Sequence, residues 1–194
     1  MARTIGLITE LEVINSVLST VGDNPVQSLD DGYQPVFIIK SMLNNLSRDM
    51  QTKKYWFNTE YDVVLTPNTL TDKIILPFNI LHFEPLDTEY VARGLTVYDR
   101  VGRTSTITSD ITADICLMLE FEELPQVARK YIQAQCKAQY NDEYLGEESL
   151  KGTLAQEINM AKIELDRAHM ENEDINMLNS ARANSVAFKN RRRS

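Results

Sequence analysis

The chain predicts an α+β protein: an antiparallel helical bundle carrying a mostly antiparallel β insertion between its second and third long helices. Three observations predict it. Apolar residues recur at every third or fourth position towards both ends of the 194-residue chain, the period of helices with one buried face. Between residues 56 and 121 the period drops to two, as in strands. Proline and glycine stand where one pattern gives way to the other. The expected organisation is one discontinuous helical domain, 1–55 with 122–175, a β insertion at 56–121, and an extended basic C-terminal tail at 176–194. There is no internal repeat.

The first helix starts at Thr9, which has capping-box spacing to Glu12, with Ile8 and Val13 placed as a hydrophobic staple. Leu11, Ile14, Val17, Leu18 and Val21 form its stripe, and Gly22 followed by Asp-Asn-Pro25 stops it. A second helix begins near Tyr33–Pro35, since proline is tolerated in a first turn. Its face is Val36, Ile39, Leu43, Leu46 and Met50, widened by Ile38 and Met42. The short link between the two helices predicts that they pack as an antiparallel pair.

Tyr61, Val63 and Leu65 then alternate with Asp62, Val64 and Thr66. Lys73–Leu76 is a short apolar run ended by Pro77, and Tyr90–Ala92 with Leu95–Tyr98 flank Arg93-Gly94 as a hairpin. Thr104–Thr112 reads as a loop or a weak strand pair. The clearest strand alternates Ala113, Ile115, Leu117, Leu119 and Phe121 with Asp114, Cys116, Met118 and Glu120. A third helix follows Pro125, with Val127, Ala128, Tyr131, Ala134 and Ala138 on one face, and ends at Gly146. The last helix runs from about Ser149 to Asp174. Its stripe is Leu150, Leu154, Ile158, Ala161, Leu165 and Ala168, with Glu and Lys on the other face.

Composition excludes several classes. A hydrophobic fraction of 43% and a charged fraction of 25% belong to a folded domain. Cys116 and Cys136 are too few for a disulfide framework or a four-ligand zinc site, and read as small buried hydrophobes of a reducing compartment. No apolar run is long enough to span a bilayer, and the start meets Glu10 before a secretory core could form. The expectation is a soluble intracellular protein without a membrane partner. The net charge of −8, with a pI near 4.8, argues against general attraction to nucleic acid. Acids dominate from Glu120 to Asp174; beyond it only Arg182, Lys189, Arg191, Arg192 and Arg193 are charged. That tail is either a solvated end or a segment that seeks an acidic surface or DNA.

The search for chemistry yields no phosphate cradle, dinucleotide fingerprint, metalloprotease helix or nucleophile elbow. His82, between Leu81 and Phe83, reads as a hydrogen-bonded, partly buried imidazole, and His169 as an exposed helix residue with Glu173 one turn on. Glu122-Glu123 and Glu147-Glu148 sit at helix starts, where acids suit the dipole. Asp30-Asp31 is a turn pair. Asp114, Glu120 and Glu122 share a strand face but make no evident metal site. Tyr55, Trp56 and Phe57 after Lys53 and Lys54 read as an anchor of the helix–sheet junction (Trp56, Phe57) more than as a stacking platform for single strands. No nucleophile, base and oxyanion donor assemble, so no enzyme and no cofactor are expected.

Four segments, in order, resemble the tail tubular protein A family of short-tailed, T7-like bacteriophages. They are the helix end Val13–Leu29 with its Val-Gly-Asp-Asn-Pro-Val, Tyr55-Trp-Phe-Asn-Thr-Glu60, Leu95–Arg100 ending Val-Tyr-Asp-Arg, and Phe121-Glu-Glu-Leu-Pro-Gln126 followed by Arg129 and Tyr131-Ile132. The resemblance covers most of residues 9–145. It implies a structural virion protein of the short tail, made and assembled in the host cytoplasm. It further implies a homo-oligomeric adaptor ring of twelve subunits between portal protein and tail nozzle protein, with tail fibre protein docking nearby. Genomic double-stranded DNA would pass through the lumen without sequence recognition. Ring closure needs two different faces per subunit, and an acidic lumen would let phosphates slide. Lys189, Arg191, Arg192 and Arg193 are then candidate contacts to the portal or a neighbouring subunit. Two other functions compete: a DNA-binding module acting through the basic tail and Trp56, and a tail-associated peptidoglycan hydrolase using an acid such as Glu123.

Overall fold

The computed structural model describes residues 6–30 and 32–179, with side chains as far as residue 173. Among the described residues, four α-helices mix with five strands, and each strand pairing is antiparallel. The elements are α1 (Glu10–Thr20), α2 (Gln34–Gln51), β1 (Thr59–Leu65), β2 (Ile80–Pro85), β3 (Tyr90–Arg93), β4 (Thr96–Asp99), β5 (Ile111–Leu117), α3 (Gln126–Tyr140) and α4 (Glu148–Asn179). They divide into two compact units: 1–46 with 124–194, whose described elements are helices, and 47–123, which holds the sheets and the last turn of α2. The basic residues Lys189, Arg191, Arg192 and Arg193 lie outside the described residues.

In the helical unit, α1 opens on the expected capping box. Thr9 Oγ1 accepts the Glu12 N–H at 3.3 Å and the Thr9 N–H donates to Glu12 Oε2 at 2.9 Å. Val13, Ile14, Val17 and Leu18 are buried. Past the left-handed Gly22, the Asn15 carboxamide clamps the following segment, accepting the Val26 N–H at 2.8 Å and donating to the Val26 carbonyl at 3.0 Å. The substantial helix neighbour of α1 is α3, not α2 as the short link suggested. The reason lies ahead of α1: the Ile8 N–H donates to Gln126 Oε1 at 2.9 Å, and Arg129 Nη1 donates to the Ile8 carbonyl at 2.7 Å. These bonds lash the entry of α1 to the start of α3.

α3 ends in a π-helical turn, Asn141–Leu145, closed by left-handed Gly146. α4 returns along α3 and is longer than expected: 32 residues, about 48 Å at 1.5 Å per residue. Leu154, Ala161 and Leu165 are buried, and Lys137–Glu157 (2.8 Å) and Lys130–Glu164 (3.4 Å) border the α3–α4 seam. The opposite face is not purely charged as expected: Met160, Ile163 and Met170 stand there exposed. His169 is half-buried instead of exposed.

The second unit has a three-stranded sheet, order β1-β5-β2, and the β3–β4 hairpin. The hairpin loop is Gly94-Leu95, one residue later than expected, with Gly94 supplying the positive φ of 60° that a two-residue loop needs. Ile74, Leu76, Val97, Ile107 and Ile111 form the core, with Leu65, Ile80, Phe83 and Tyr90 packed on it. The Lys73–Leu76 run is no strand; it contributes single bonds, Leu76 N–H to the Leu95 carbonyl and Val97 N–H to the Ile74 carbonyl. In β1 a bulge between Glu60 and Val63, with Asp62 at φ 53°, breaks the alternation and leaves Tyr61 outside. β5 stops at Leu117, short of Phe121. The Gln51 carboxamide takes over there, accepting the Leu119 N–H at 2.8 Å and donating to the Leu119 carbonyl at 3.1 Å, and Phe121–Glu123 becomes a 3₁₀ turn.

Candidate functional site

Trp56 and Phe57 lie in the turn between α2 and β1, within the second unit. The three successive rings contact one another. Tyr55 and Phe57 stack at 5.5 Å between centroids, and Trp56 meets Phe57 edge-on at 4.9 Å. Tyr55 is buried, while Trp56 and Phe57 are half-buried. Beneath the turn, Asn58 is a hub. Its Nδ2 donates to the Gln51 carbonyl (2.9 Å), the Leu117 carbonyl (3.1 Å) and Cys116 Sγ (3.2 Å), and its Oδ1 accepts the Tyr55 N–H (3.0 Å). A buried amide is tolerated because its bonding capacity is filled.

Concavities among the described residues open on this unit. One is a groove of about 570 Å³, with Phe78, Ile80, Leu81 and Met118 mixed with Arg48, Glu120 and Glu123. Its acids do not converge on a reacting centre. Glu123 Oε2 accepts the Glu120 N–H at 3.1 Å, which is the work of a turn cap. The other is a recess of about 40 Å³ lined by Lys54, Thr59, Tyr61, His82, Glu84, Asp114 and Cys116. Lys54 Nζ pairs with Glu84 at 2.6 Å, and the Asp62 N–H donates to Asp114 Oδ1 at 2.9 Å. His82 points outward from β2 and is exposed, a correction to the partly buried placement expected from its apolar neighbours. Partial desolvation and the nearby Lys54 ammonium lower its pKa below the usual imidazole value, so it is neutral at pH 7.

Burial pushes both thiols up, Cys136 to about 12 with no counteracting charge. Each is protonated at neutral pH, so neither is a nucleophile. Among the described residues, no group of three or more His, Cys, Asp or Glu stands together to hold a metal ion, and no helix is long and apolar enough to cross a membrane.

Arg129, named in the sequence only as part of the fourth family-like segment, has a structural role that the sequence reading did not assign. It is 1% exposed. Its Nε donates to the Leu124 carbonyl at 2.7 Å and its Nη1 to the Ile8 carbonyl at 2.7 Å, so one guanidinium ties together the entries of α1 and α3. The available signal was a lone arginine beside Ala128 on an otherwise apolar and small-residue face. The prominent polar features of the described residues are thus intrachain fastenings, Arg129 in the helical unit and Asn58 and Gln51 in the other.

The comparisons with known proteins give the family. The family model for tail tubular protein matches residues 11–175. Tail tubular protein A of Klebsiella phage KP34 is 28% identical over 166 residues, covering 84% of this chain and 88% of that one. The chain belongs to the tail tubular protein family and is a structural protein of a phage tail.

Proposed function

We propose that this chain builds a ring adaptor of twelve copies between the portal and the tail nozzle, with genomic duplex DNA passing through its centre during ejection and tail fibres docking nearby. The observation that carries the reading is the extent of the family match: residues 11–175 take in α1 from its second residue, α2, α3, the five described strands and most of α4. Charge supports the conduit. Each copy carries −8, and a ring of such copies presents phosphates with a repulsive field, so duplex slides without adhering. The helical segments serve as the ring-building body. Trp56 and Phe57 anchor the passage from α2 into the β insertion. The basic Lys189, Arg191, Arg192 and Arg193 are the candidate contacts to the portal or a neighbouring copy, as a cluster of positive charge seeks an acidic surface. Assembly takes place in the host cytoplasm, before the virion is released.

Light scattering of the purified chain mixed with purified portal tests the reading. The expected result is a species heavier than the portal by the mass of a full ring. A 22.2 kDa monomer beside unaltered portal would contradict it.

A further inference from the structure

In the helical unit α1 packs on α3, and the two helices start side by side because Arg129 and Gln126 hold Ile8. Their far ends therefore come out together. Tyr140, the last residue of α3, leads into the π-helical turn, which the Gly146 N–H closes on the Asn141 carbonyl at 2.7 Å. Such turns are rare and recur at functional sites. This one sets Tyr144 over Tyr140, their rings stacked at 5.0 Å between centroids and 21° from parallel. Beyond α1, Asp23 Oδ2 accepts a hydrogen bond from the Tyr33 hydroxyl at 3.1 Å. The two pairs act on one another: burial first, then the charges of Asp23, Tyr33 and Tyr144, raise the Tyr140 pKa. One carboxylate thus sits among three phenol rings.

The cluster lacks a cation. Among the described residues no lysine or arginine pairs with Asp23. Tyr144 and Tyr33 are 53% and 40% exposed, so both rings are open to an incoming group. A phenol ring attracts cations to its face, and the carboxylate adds a full negative charge. A guanidinium suits both, since it forks onto a carboxylate and stacks flat on a ring.

The chain holds three successive arginines in one place, Arg191, Arg192 and Arg193, with no acidic side chain after Asp174. α4 carries the chain away from the cluster. It begins four residues after Tyr144 and ends at Asn179, about 48 Å off. The stretch from Asn179 to Arg191 spans at most about 42 Å. A return to the chain's own cluster would need a taut, straight path with no slack, whereas the cluster of an adjoining copy imposes no such path.

We propose that Asp23, Tyr33 and Tyr144 form a guanidinium site that receives Arg191, Arg192 and Arg193 of a second copy of this chain. The inference rests on the ring reading above and names the seat of the basic segment within it. One end of the subunit receives and a distant end delivers, which is a head-to-tail contact of the kind that closes rings. A single exposed pair of this sort is weak, but joints repeated around a closed assembly reinforce one another.

The probe is a dye-labelled peptide with the sequence of residues 185–194. It is titrated by fluorescence anisotropy, at about 0.15 M salt to screen general attraction, into full-length chain carrying Arg191→Ser, Arg192→Ser and Arg193→Ser. Asp23→Asn and Tyr144→Ala, added separately, should each weaken peptide binding by about fivefold or more. Glu171→Gln, at a carboxylate already paired with Arg167, should leave it unchanged. Thermal melts confirm that each variant is folded, and Tyr144→Leu replaces Tyr144→Ala if that one melts early. Absence of peptide binding, or an equal loss in Glu171→Gln, overturns the site and leaves the ring reading standing. A benzophenone cross-linker at position 190 of the otherwise wild-type chain then identifies the receiver. The expected product is two joined chains, mapped by mass spectrometry to Tyr33 or to residues 140–144. A link within one chain, or to added portal, overturns the second copy as the source and again spares the ring. A wild-type chain that stays monomeric beside portal in light scattering overturns the ring reading, and the second-copy source with it.

Discussion

The two units solve the same problem with different chemistry. Each must fasten chain segments far apart in sequence. The helical unit does so with a buried charge: Arg129 bonds carbonyls at Ile8 and Leu124. The β unit does so with neutral amides: Gln51 reaches both backbone groups of Leu119, while Asn58 gathers Gln51, Leu117 and Cys116. A guanidinium fits only carbonyls or other acceptors, and it is costly to strand. A carboxamide donates and accepts, so it can stand in for a missing strand neighbour. The helical unit is therefore expected to depend steeply on one residue, and the β unit to spread its dependence over two.

The most damaging change should be Arg129→Met, which takes the donor from the carbonyls of buried Leu124 and half-buried Ile8; a loss of about 3 kcal/mol is expected. Urea unfolding followed by far-UV circular dichroism, dominated by the helices, should record it, and Arg129→Lys should recover only part. Asn58→Ala should cost less, about 2 kcal/mol, since Gln51 keeps its own bonds to Leu119. Fluorescence of Trp56, the sole tryptophan, reports that loss from within the β unit. The thiols sharpen the contrast. Neither should react with a thiol reagent at pH 8 in the native protein. Arg129→Met should release Cys136 first, Asn58→Ala Cys116 first; the reverse order would break the comparison.

Smaller still is Thr9→Ala, which removes the α1 capping box at about 1 kcal/mol by the same dichroism melt. Least of all is Asp62→Gly. Glycine suits φ 53° but frees the unfolded chain, so stability should stay within about 0.5 kcal/mol. Asp62→Val, which cannot adopt that φ without strain, should cost more than 1 kcal/mol by roughly the αL penalty.

Local signals in the sequence carry much of this fold. The Thr9–Glu12 box, the Gly22 and Gly146 stops and the 3.6-residue stripes of α2 and α4 depend on neighbours within one or two turns, and all are where the residues indicate. What fails to show locally is set by distant partners. β2 escapes notice because its bulge leaves both Ile80 and Leu81 half-buried and it ends in proline. Its strand character comes from β5, some thirty residues on. Likewise Tyr61 turns outward at a bulge whose Asp62 N–H donates to Asp114 Oδ1, and α1 abandons α2 for α3 because Arg129 and Gln126 hold Ile8. For function, the ordered segments resembling phage tail proteins were legible. Buried Arg129 and the gathering of Asp23 with Tyr33, Tyr140 and Tyr144 were not, since burial and long-range contact appear only in the fold.

Class averages of the chain mixed with purified portal, viewed along the particle axis by electron microscopy, test the central claim most directly. The account predicts an added ring of repeated subunits, coaxial with the portal and open at the centre widely enough for duplex DNA. Portal particles of unaltered height, or chains attached singly with no closed ring, would contradict it.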